Sequence, residues 1–312
     1  MMKSLIRLMT WPHQQKLLSR TLGLQKTASC RHCSQQQTIE ARHLKQNPLT
    51  FTEDKFNGVT VDLAQIPVEK SEYDFQNILE DALLEWKSLG KRAVWLKVPI
   101  QQGRFIPVAA RKGFTFHHAE GDSAMLTLWM DNTTESRLPR YATHQVGVAG
   151  FVLNEKTGEV VVVMDKHRKR PLWKFPGGLS DLGEDIENTA EREVFEETGI
   201  RAKYQSILTM RQHHDHPSAF GRSDIYIICR LSPETYDLHP CSTEISACQW
   251  MHVKELLSHE DTSSLTKTLC KLALYGLEEG FHKVDISSEI HESIYQGYQF
   301  KLFHRPLPKK WS

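Results

Sequence analysis

One nine-residue segment, EREVFEETG at residues 191–199, constrains the fold of this chain more than any other. Three of its four glutamates, Glu193, Glu196 and Glu197, fall within five residues. On a helix they share an arc of roughly 100°, because each residue turns the chain by about 100°. Like charges at these helical spacings repel each other by about a few tenths of a kcal/mol per pair. Gly199 also predicts a helix C-terminus, where the helix dipole disfavours anions. The segment therefore predicts a helix whose carboxylates serve a function, because a function would explain why this electrostatic destabilisation is tolerated.

The charged helix is the second half of a longer pattern that begins at Gly178. The pattern reads G-x5-E-x7-R-E-U-x-E-E-x-G-U, in which U is an aliphatic residue. Its fixed positions are Gly178, Glu184, Arg192, Glu193, Val194, Glu196, Glu197, Gly199 and Ile200. A cluster of carboxylates on one helix turn offers the hard oxygen ligands that suit Mg²⁺ or Mn²⁺. A solvated helix face is the alternative, but the complete pattern after a glycine-rich loop favours a metal site.

Other residues of the pattern predict support for that site. Arg192 precedes Glu196 by four residues and can pair with it, which would fix the orientation of the carboxylate. Glu184 is expected in the loop or first turn, from which it can reach back to the helix. Gly177 and Gly178 allow a sharp backbone turn and can aim a carbonyl or an N–H group at an ion or a phosphate.

This pattern is the Nudix box, and residues 143–285 resemble a Nudix hydrolase domain. The resemblance implies an α/β fold, namely a Nudix α/β/α sandwich with a mixed sheet. It implies that three glutamates and one additional carbonyl bind Mg²⁺ or Mn²⁺: Glu193, Glu196, Glu197 and Gly177. The implied reaction is attack of water on one phosphorus of a nucleoside diphosphate linked to another moiety, X. Catalytic roles are implied for the three glutamates together with Arg192 and Glu184.

Further candidates lie outside the charged helix. In RQHHDH, residues 211–216 near the start of a strand, Arg211 and His213 are candidate substrate contacts, with a zinc site or a plain loop as alternatives. Gly178 and Lys174 complete the predicted substrate-binding set. Glu244 lies where some Nudix proteins place a further acid as base or ligand. The alternative for Glu244 is an ordinary acid in a surface loop.

Residues 45–130 alternate segments of strand and helix character and predict a small α+β N-terminal domain. EYDFQNILEDALLEWKSLG at 72–90 places its apolar residues on one helical face and ends at a glycine. GFTFHHAEGD, before a further strand, resembles the N-terminal extension of one Nudix subgroup. Polar residues 131–142 are predicted to be a linker, and residues 286–312 a C-terminal tail.

The first 40 residues differ in composition from the remainder of the chain. Residues 1–39 carry six basic residues and no acid, so the remainder has a net charge of −5, from 33 Lys+Arg against 38 Asp+Glu. A basic, acid-free segment with amphipathic spacing predicts a mitochondrial transit peptide over residues 1–40. A disordered basic tail is the alternative for the segment. A downstream start would leave the protein cytoplasmic or nuclear.

The leading functional prediction is a metal-dependent pyrophosphohydrolase whose first candidate substrates are ADP-ribose and NADH-like dinucleotides. A regulatory or binding module that keeps the metal helix but is catalytically weak or inactive is the alternative from another class. Hydrolysis of RNA caps is a third candidate, but the net charge of −5 argues against a broad nucleic-acid surface. The expected partner is a small nucleotide, a homodimer is compatible with the sequence, and no apolar run approaches the roughly 20 residues of a membrane span.

Overall fold

The computed structural model describes residues 49–308, with the exception of residues 168 and 218. The predicted transit peptide therefore lies outside the described residues. The N-terminal region contains five strands and two α-helices: β1 (Thr52–Glu53), β2 (Gly58–Asp62), α1 (Glu72–Ser88), β3 (Ala93–Pro99), α2 (Ile106–Arg111), β4 (Thr115–Glu120) and β5 (Ser123–Trp129). The strands form one sheet in the order β1-β2-β3-β5-β4, in which only the β2–β3 pair is parallel among the pairs of this sheet.

Helix α1 covers this sheet because its sequence supplies both a start signal and an apolar face. The Ser71 side chain accepts a hydrogen bond from the Asp74 N–H and so caps the first turn. Phe75, Leu79 and Trp86 recur on one face and are fully buried in the core of the region. The helix predicted over 72–90 is thus present, and it ends two residues earlier than the predicted segment.

The C-terminal region contains the Nudix-like pattern. Its elements are β6 (His144–Asn154), β7 (Glu159–Asp165), β8 (Gly177–Leu179), α3 (Ile186–Thr198), β9 (Ala202–His213), β10 (Ser223–Pro233), β11 (Ile245–His252), α4 (Val253–Ser258), α5 (Ser264–Glu279), β12 (Ser287–Glu292) and β13 (Gln299–His304). Five strands form a sheet in the order β11-β7-β6-β10-β9, and β8 pairs with β6 outside this path. The sheet is mixed, because β10 runs parallel to β6 and antiparallel to β9.

Helices cover both faces of this mixed sheet. Helix α3 packs on one face through Ala190 and Val194, and α4 and α5 pack on the other through residues such as Leu256 and Leu269. The contact of α3 with the sheet is close: a Cβ atom at Gly150 of β6 would lie 2.2 Å from the Val194 side chain. The predicted α/β/α sandwich with a mixed sheet is confirmed.

Strands β9, β12 and β13 were not among the strands predicted from the sequence. Strand β9 spans twelve residues, so Arg211 and His213 lie at the end of a strand rather than near the start of one. The predicted C-terminal tail contains a hairpin of β12 and β13, which lies next to the sheet through a bridge between Ile207 and Ile286. Across the part of the chain that the structure describes, no helix has the length and apolar character needed to cross a membrane.

Candidate active site

Arg192 is the centre of the contacts within the charged segment. Its Nε and Nη2 atoms each donate to a different oxygen of Glu184, both at 2.8 Å. Its Nη1 atom donates to Glu193 at 2.7 Å and to Glu196 at 3.3 Å, and Nη2 also donates to the Leu179 carbonyl. The expected pair with Glu196 is therefore present, but it is the longest of these contacts. One guanidinium thus orients three carboxylates and the glycine-containing strand β8.

Glu184 belongs to the loop that leads into α3, directly before the N-cap residue Asp185. Hydrogen bonds from Arg192 lower the pKa of Glu184 to about 2, with further support from the Asp181 N–H and the Thr189 hydroxyl. Glu184 therefore stays ionised across the physiological range and keeps Arg192 charged and fixed. It acts on the other carboxylates through Arg192.

Glu197 is the most buried carboxylate of α3, with a relative exposure of 6%. Its Oε2 atom accepts a hydrogen bond from the Gly177 N–H at 3.3 Å, and Lys174 Nζ lies 3.8 Å from its Oε1 atom. Burial raises the pKa of Glu197 to about 7, although Lys174 partly opposes the shift. The negative charge of Glu197 is therefore only partly balanced by its protein neighbours.

Glu193 faces the glycine loop directly. A Cβ atom at Gly178 would lie 2.7 Å from the carboxylate atoms of Glu193, so only glycine leaves room for this carboxylate. Burial raises the pKa of Glu193 even though Arg192 contacts it. Glycine is thus required at position 178 because a side chain there would collide with Glu193. Its backbone conformation does not require glycine, because it lies outside the left-handed region.

The donor set fits a hard divalent cation. Three carboxylates share one end of α3, and burial has raised the pKa of two of them, Glu193 and Glu197. A divalent ion would balance this charge and prefers oxygen ligands of this kind. Within the described residues, however, no group of three or more His, Cys, Asp or Glu side chains is arranged so that it could hold a metal ion. In this arrangement Arg192 lies against Glu193 and Glu196 instead.

A cavity of about 760 Å³ lies on the sheet face that α5 covers, and its lining does not include Glu193, Glu196 or Glu197. The cavity adjoins two of these carboxylates through lining residues: Gly177 donates to Glu197, and Gly178 lies against Glu193. Five residues selected from the sequence line this one cavity: Lys174, Gly177, Gly178, Arg211 and His213. They come from two separate stretches of the chain, 174–178 and 211–213. The structure also adds lining residues that the sequence analysis missed, including Gln145, Asp224, Tyr226, Ser263 and Thr266.

Arg211 is held in the cavity by a buried acid that the sequence analysis did not select. Its Nη2 atom donates to Asp224 Oδ2 at 2.6 Å, and its guanidinium lies 4.9 Å from the centre of the Tyr226 ring. Burial opposes ionisation of Asp224, but hydrogen bonds from Arg211 and Gln145 outweigh it and lower the pKa of Asp224. The buried Arg211 Nε has no hydrogen-bond partner in the protein. Arg211 is therefore oriented and retains a donor for another group.

Lys174 and Glu244 occupy different positions relative to the cavity. Lys174 lines it and pairs with Asp165 at 2.7 Å, on the side next to Glu197. The side chain of Glu244 is exposed and is not part of the lining, and its carbonyl accepts a hydrogen bond from the Lys166 N–H. A catalytic role for Glu244 stays a prediction that these contacts do not support.

Comparison with known proteins decides the family. The Nudix hydrolase domain model matches residues 49–130, and the NUDIX domain model matches residues 143–272. Nucleoside diphosphate-linked moiety X motif 6 of Homo sapiens is 43% identical over 311 residues, which covers 97% of this chain and 96% of the human protein. The chain belongs to the Nudix hydrolase family.

Other relatives of this Nudix hydrolase come from a frog and a plant. Nucleoside diphosphate-linked moiety X motif 6 of Xenopus laevis is 51% identical over 210 residues, which covers 67% of this chain and 96% of the frog protein. Nudix hydrolase 8 of Arabidopsis thaliana is 39% identical over 208 residues, which covers 66% of this chain and 55% of the plant protein. Both regions of this Nudix hydrolase thus fall within family matches, and the box glutamates belong to the NUDIX domain match.

Proposed function

We propose that this Nudix hydrolase cleaves the pyrophosphate bond of nucleoside diphosphate derivatives with the help of Mg²⁺ or Mn²⁺. ADP-ribose and NADH-like dinucleotides are the first candidate substrates. The observation that carries the proposal is a cavity lined by Gly177, Lys174 and Arg211, which adjoins the box carboxylates because Gly177 donates to Glu197 and Lys174 lies 3.8 Å from it. A site for a diphosphate needs carboxylates that bind a divalent cation at one end and cationic side chains that bind phosphate oxygens at the other.

The size and lining of the cavity suit this substrate class. A volume of about 760 Å³ lies within the range of pockets that enclose small organic ligands, roughly 300–1,000 Å³. Tyr226 offers an aromatic ring, and Arg211 offers the unpaired Nε donor beside it. The names of the animal relatives, which refer to nucleoside diphosphates linked to a moiety X, agree with such a substrate.

The residues of this chain perform two tasks in the proposed reaction. Glu193, Glu196 and Glu197 would hold the divalent ion, and Arg192 keeps the first two carboxylates oriented. Arg211 binds a non-bridging phosphate oxygen and so holds the diphosphate in the cavity. Water then forms a bond to one phosphorus, and the bond from that phosphorus to the bridging oxygen breaks. The products are a nucleoside monophosphate and a phosphorylated X.

The cation supplies charge neutralisation on the phosphate oxygens and, when bound, lowers the pKa of coordinated water. The burial of Glu197 and Glu193 contributes to this role, because a partly desolvated carboxylate interacts more strongly with a cation than a hydrated one does. The Gly177 N–H, which donates to Glu197, fixes the carboxylate that lies deepest. Alanine at Gly178 would disturb Glu193 directly.

The test is hydrolysis of a panel of nucleoside diphosphate derivatives by the full chain, with Mg²⁺ or Mn²⁺. Glu196→Gln and Glu197→Gln should abolish turnover, whereas Glu278→Gln, at an exposed glutamate of α5, should leave it unchanged. Loss in both site variants supports the proposal. Absence of turnover of every compound by the wild-type chain would favour the regulatory or binding module instead.

We propose in addition that residues 1–40 direct the protein to mitochondria. The proposal rests on composition alone, six basic residues and no acid over residues 1–39. A fusion of residues 1–40 to a fluorescent protein should accumulate in mitochondria. Diffuse or nuclear fluorescence would contradict this and favour the cytoplasmic or nuclear location.

A further inference from the structure

Arg222, the residue directly before strand β10, connects the C-terminal region to the predicted linker, residues 131–142. Arg222 Nη1 donates to the Tyr141 carbonyl at 3.0 Å and also to the Ala142 carbonyl. The guanidinium of Arg222 lies 5.3 Å from the centre of the Tyr141 ring, a cation–π distance. The start of β10 is therefore fixed to the linker by both main-chain and ring contacts.

The linker is in turn fixed to strand β4 of the N-terminal sheet. The Tyr141 ring stacks on His118, with 4.3 Å between ring centres and 7° between ring planes. His117 Nε2 lies 2.7 Å from the Pro139 carbonyl, within hydrogen-bond distance. The segment predicted to be a linker thus contacts the N-terminal sheet at two consecutive histidines and does not simply span a gap.

Contacts continue from Arg222 into the candidate active site through the next two residues. The Ser223 N–H donates to the Thr143 carbonyl at 3.0 Å, and the Ser223 hydroxyl lies 2.7 Å from His214 Nδ1. The following residue is Asp224, the acid that holds Arg211. Three consecutive residues therefore contact, in order, the linker, the loop after β9 and the cationic wall of the cavity.

We propose that Tyr141 and Arg222 are positioning residues, which allow the N-terminal sheet to hold Arg211 in its place in the substrate cavity. This inference rests on the proposed function, in which Arg211 binds the diphosphate. A strand whose first residues shift by about 1 Å would carry Asp224 with it, and small misplacements of binding groups are costly in such sites. The N-terminal region then influences substrate affinity without contacting substrate.

The experiment compares steady-state kinetics of full-length variants on a compound that the wild-type chain hydrolyses. Tyr141→Ala and Arg222→Ala should each raise KM about three- to tenfold and change kcat less than about twofold, because they displace a binding group and leave the box intact. Tyr141→Phe keeps the ring and the main-chain carbonyl, so it should restore the wild-type KM.

Arg104→Ala provides a matched control. Arg104 also donates to a main-chain carbonyl, that of Val68 at 2.6 Å, and also lies over a ring, 4.4 Å from the centre of Phe105. These contacts stay within the N-terminal region, so Arg104→Ala should leave KM unchanged. An unchanged KM in Tyr141→Ala, an equal rise in Arg104→Ala, or a failure of Tyr141→Phe to restore KM would overturn the proposal.

A second readout needs no turnover and separates this inference from the proposed function. The Ser223 amide donates to the Thr143 carbonyl, so its hydrogen exchange reports the junction directly. Exchange should accelerate at least about tenfold in Tyr141→Ala and stay at the wild-type rate in Tyr141→Phe. If the wild-type chain hydrolyses none of the compounds, the proposed function fails. If the Ser223 amide also exchanges at equal rates in the wild type and in Tyr141→Ala, the positioning role of Tyr141 is overturned as well.

Discussion

Glu184 and Arg192 form a two-pronged contact in which each carboxylate oxygen accepts one guanidinium hydrogen bond at 2.8 Å. This geometry leaves the Nη1 atom of Arg192 for Glu193 and Glu196. The loop before α3 therefore determines where the carboxylates of α3 point. Glu184 and Arg192 act as one unit, and a change to either should affect the whole cluster.

Arg192→Lys should lower kcat by about tenfold or more and the free energy of unfolding by about 1–3 kcal/mol. Lysine keeps the charge but cannot donate in parallel to both oxygens of Glu184 while also contacting Glu193. Chemical denaturation and steady-state kinetics check both effects. Arg201→Lys is the control, because Arg201 is an exposed arginine just beyond the C-terminus of the same helix. Wild-type activity in Arg192→Lys would show that the two-pronged contact has no catalytic role.

Glu197→Gln should stabilise the protein at high pH when divalent ions are removed with a chelator. The pKa of Glu197 is raised to about 7 from its usual 4.5, so the folded state favours the neutral carboxyl. The resulting cost is absent below about pH 4.5, grows as pH rises toward 7 and is complete above it. The variant should gain about 3 kcal/mol over the wild type at pH 8 and nothing at pH 4.

Denaturation curves at a series of pH values measure this difference. Glu196→Gln is the control, because Glu196 is one residue away and its side chain is 57% exposed. A stability gain in Glu197→Gln that does not grow with pH would contradict the assignment of a strained, buried charge to Glu197.

Arg211→Lys should raise KM about tenfold and leave kcat nearly unchanged, because the single nitrogen of lysine cannot occupy both the Nη2 position beside Asp224 and the position of the free Nε donor. Asp224→Asn should have a similar effect on KM, since it removes the charge that orients Arg211. Steady-state kinetics on the preferred substrate measures both variants. Lys203→Gln, which removes an exposed cation from the same strand, is the control. Equal KM values in all four proteins would remove Arg211 from the substrate site.

Lys301→Met should lower the free energy of unfolding by about 1–2 kcal/mol. Lys301 lies in strand β13 and binds Asp185 at 2.9 Å and Glu187 at 2.6 Å, at the start of α3. Although burial opposes it, these hydrogen bonds raise the pKa of Lys301. Thermal or chemical denaturation measures the loss, which shows whether the C-terminal hairpin stabilises the box helix.

The control for this variant is Lys283→Met. Lys283 pairs with Glu279 on the surface, where an ion pair is worth less than about 0.5 kcal/mol. If both lysine variants lose the same stability, the hairpin contact has no special contribution.

The parts of the site that sequence could predict are those determined by local spacing. Glu193, Glu196 and Glu197 share a face because of their spacing on one helix, and Gly199 ends that helix with a φ of 75° in the left-handed region. The same reasoning predicted an Arg192–Glu196 pair from their four-residue spacing. The spacing could not show that Arg192 lies closer to Glu184, at 2.8 Å, than to Glu196, at 3.3 Å, because the contact with Glu184 depends on how the preceding loop folds.

The cationic wall of the cavity depends on strand pairing over a longer distance. Arg211 meets Tyr226 only because β9 and β10 pair antiparallel in one register, and that register also places Asp224 beside Arg211. Strand β9 itself was missed, since AKYQSILTMRQH mixes polar and apolar residues without a clear alternation. Asp224, the acid at the start of the otherwise apolar segment SDIYIICRL, was the feature of the sequence from which a partner for Arg211 could have been predicted.

Calorimetric titration of Mg²⁺ and Mn²⁺ into the full chain and its Glu196→Gln, Glu197→Gln and Glu278→Gln variants tests the cation site directly. We expect saturable binding to the wild type and to Glu278→Gln, weakened by about tenfold or more in the two box variants. Absence of binding to the wild type, or equal affinity in all four proteins, would contradict the claim that the carboxylates of α3 form a divalent-cation site.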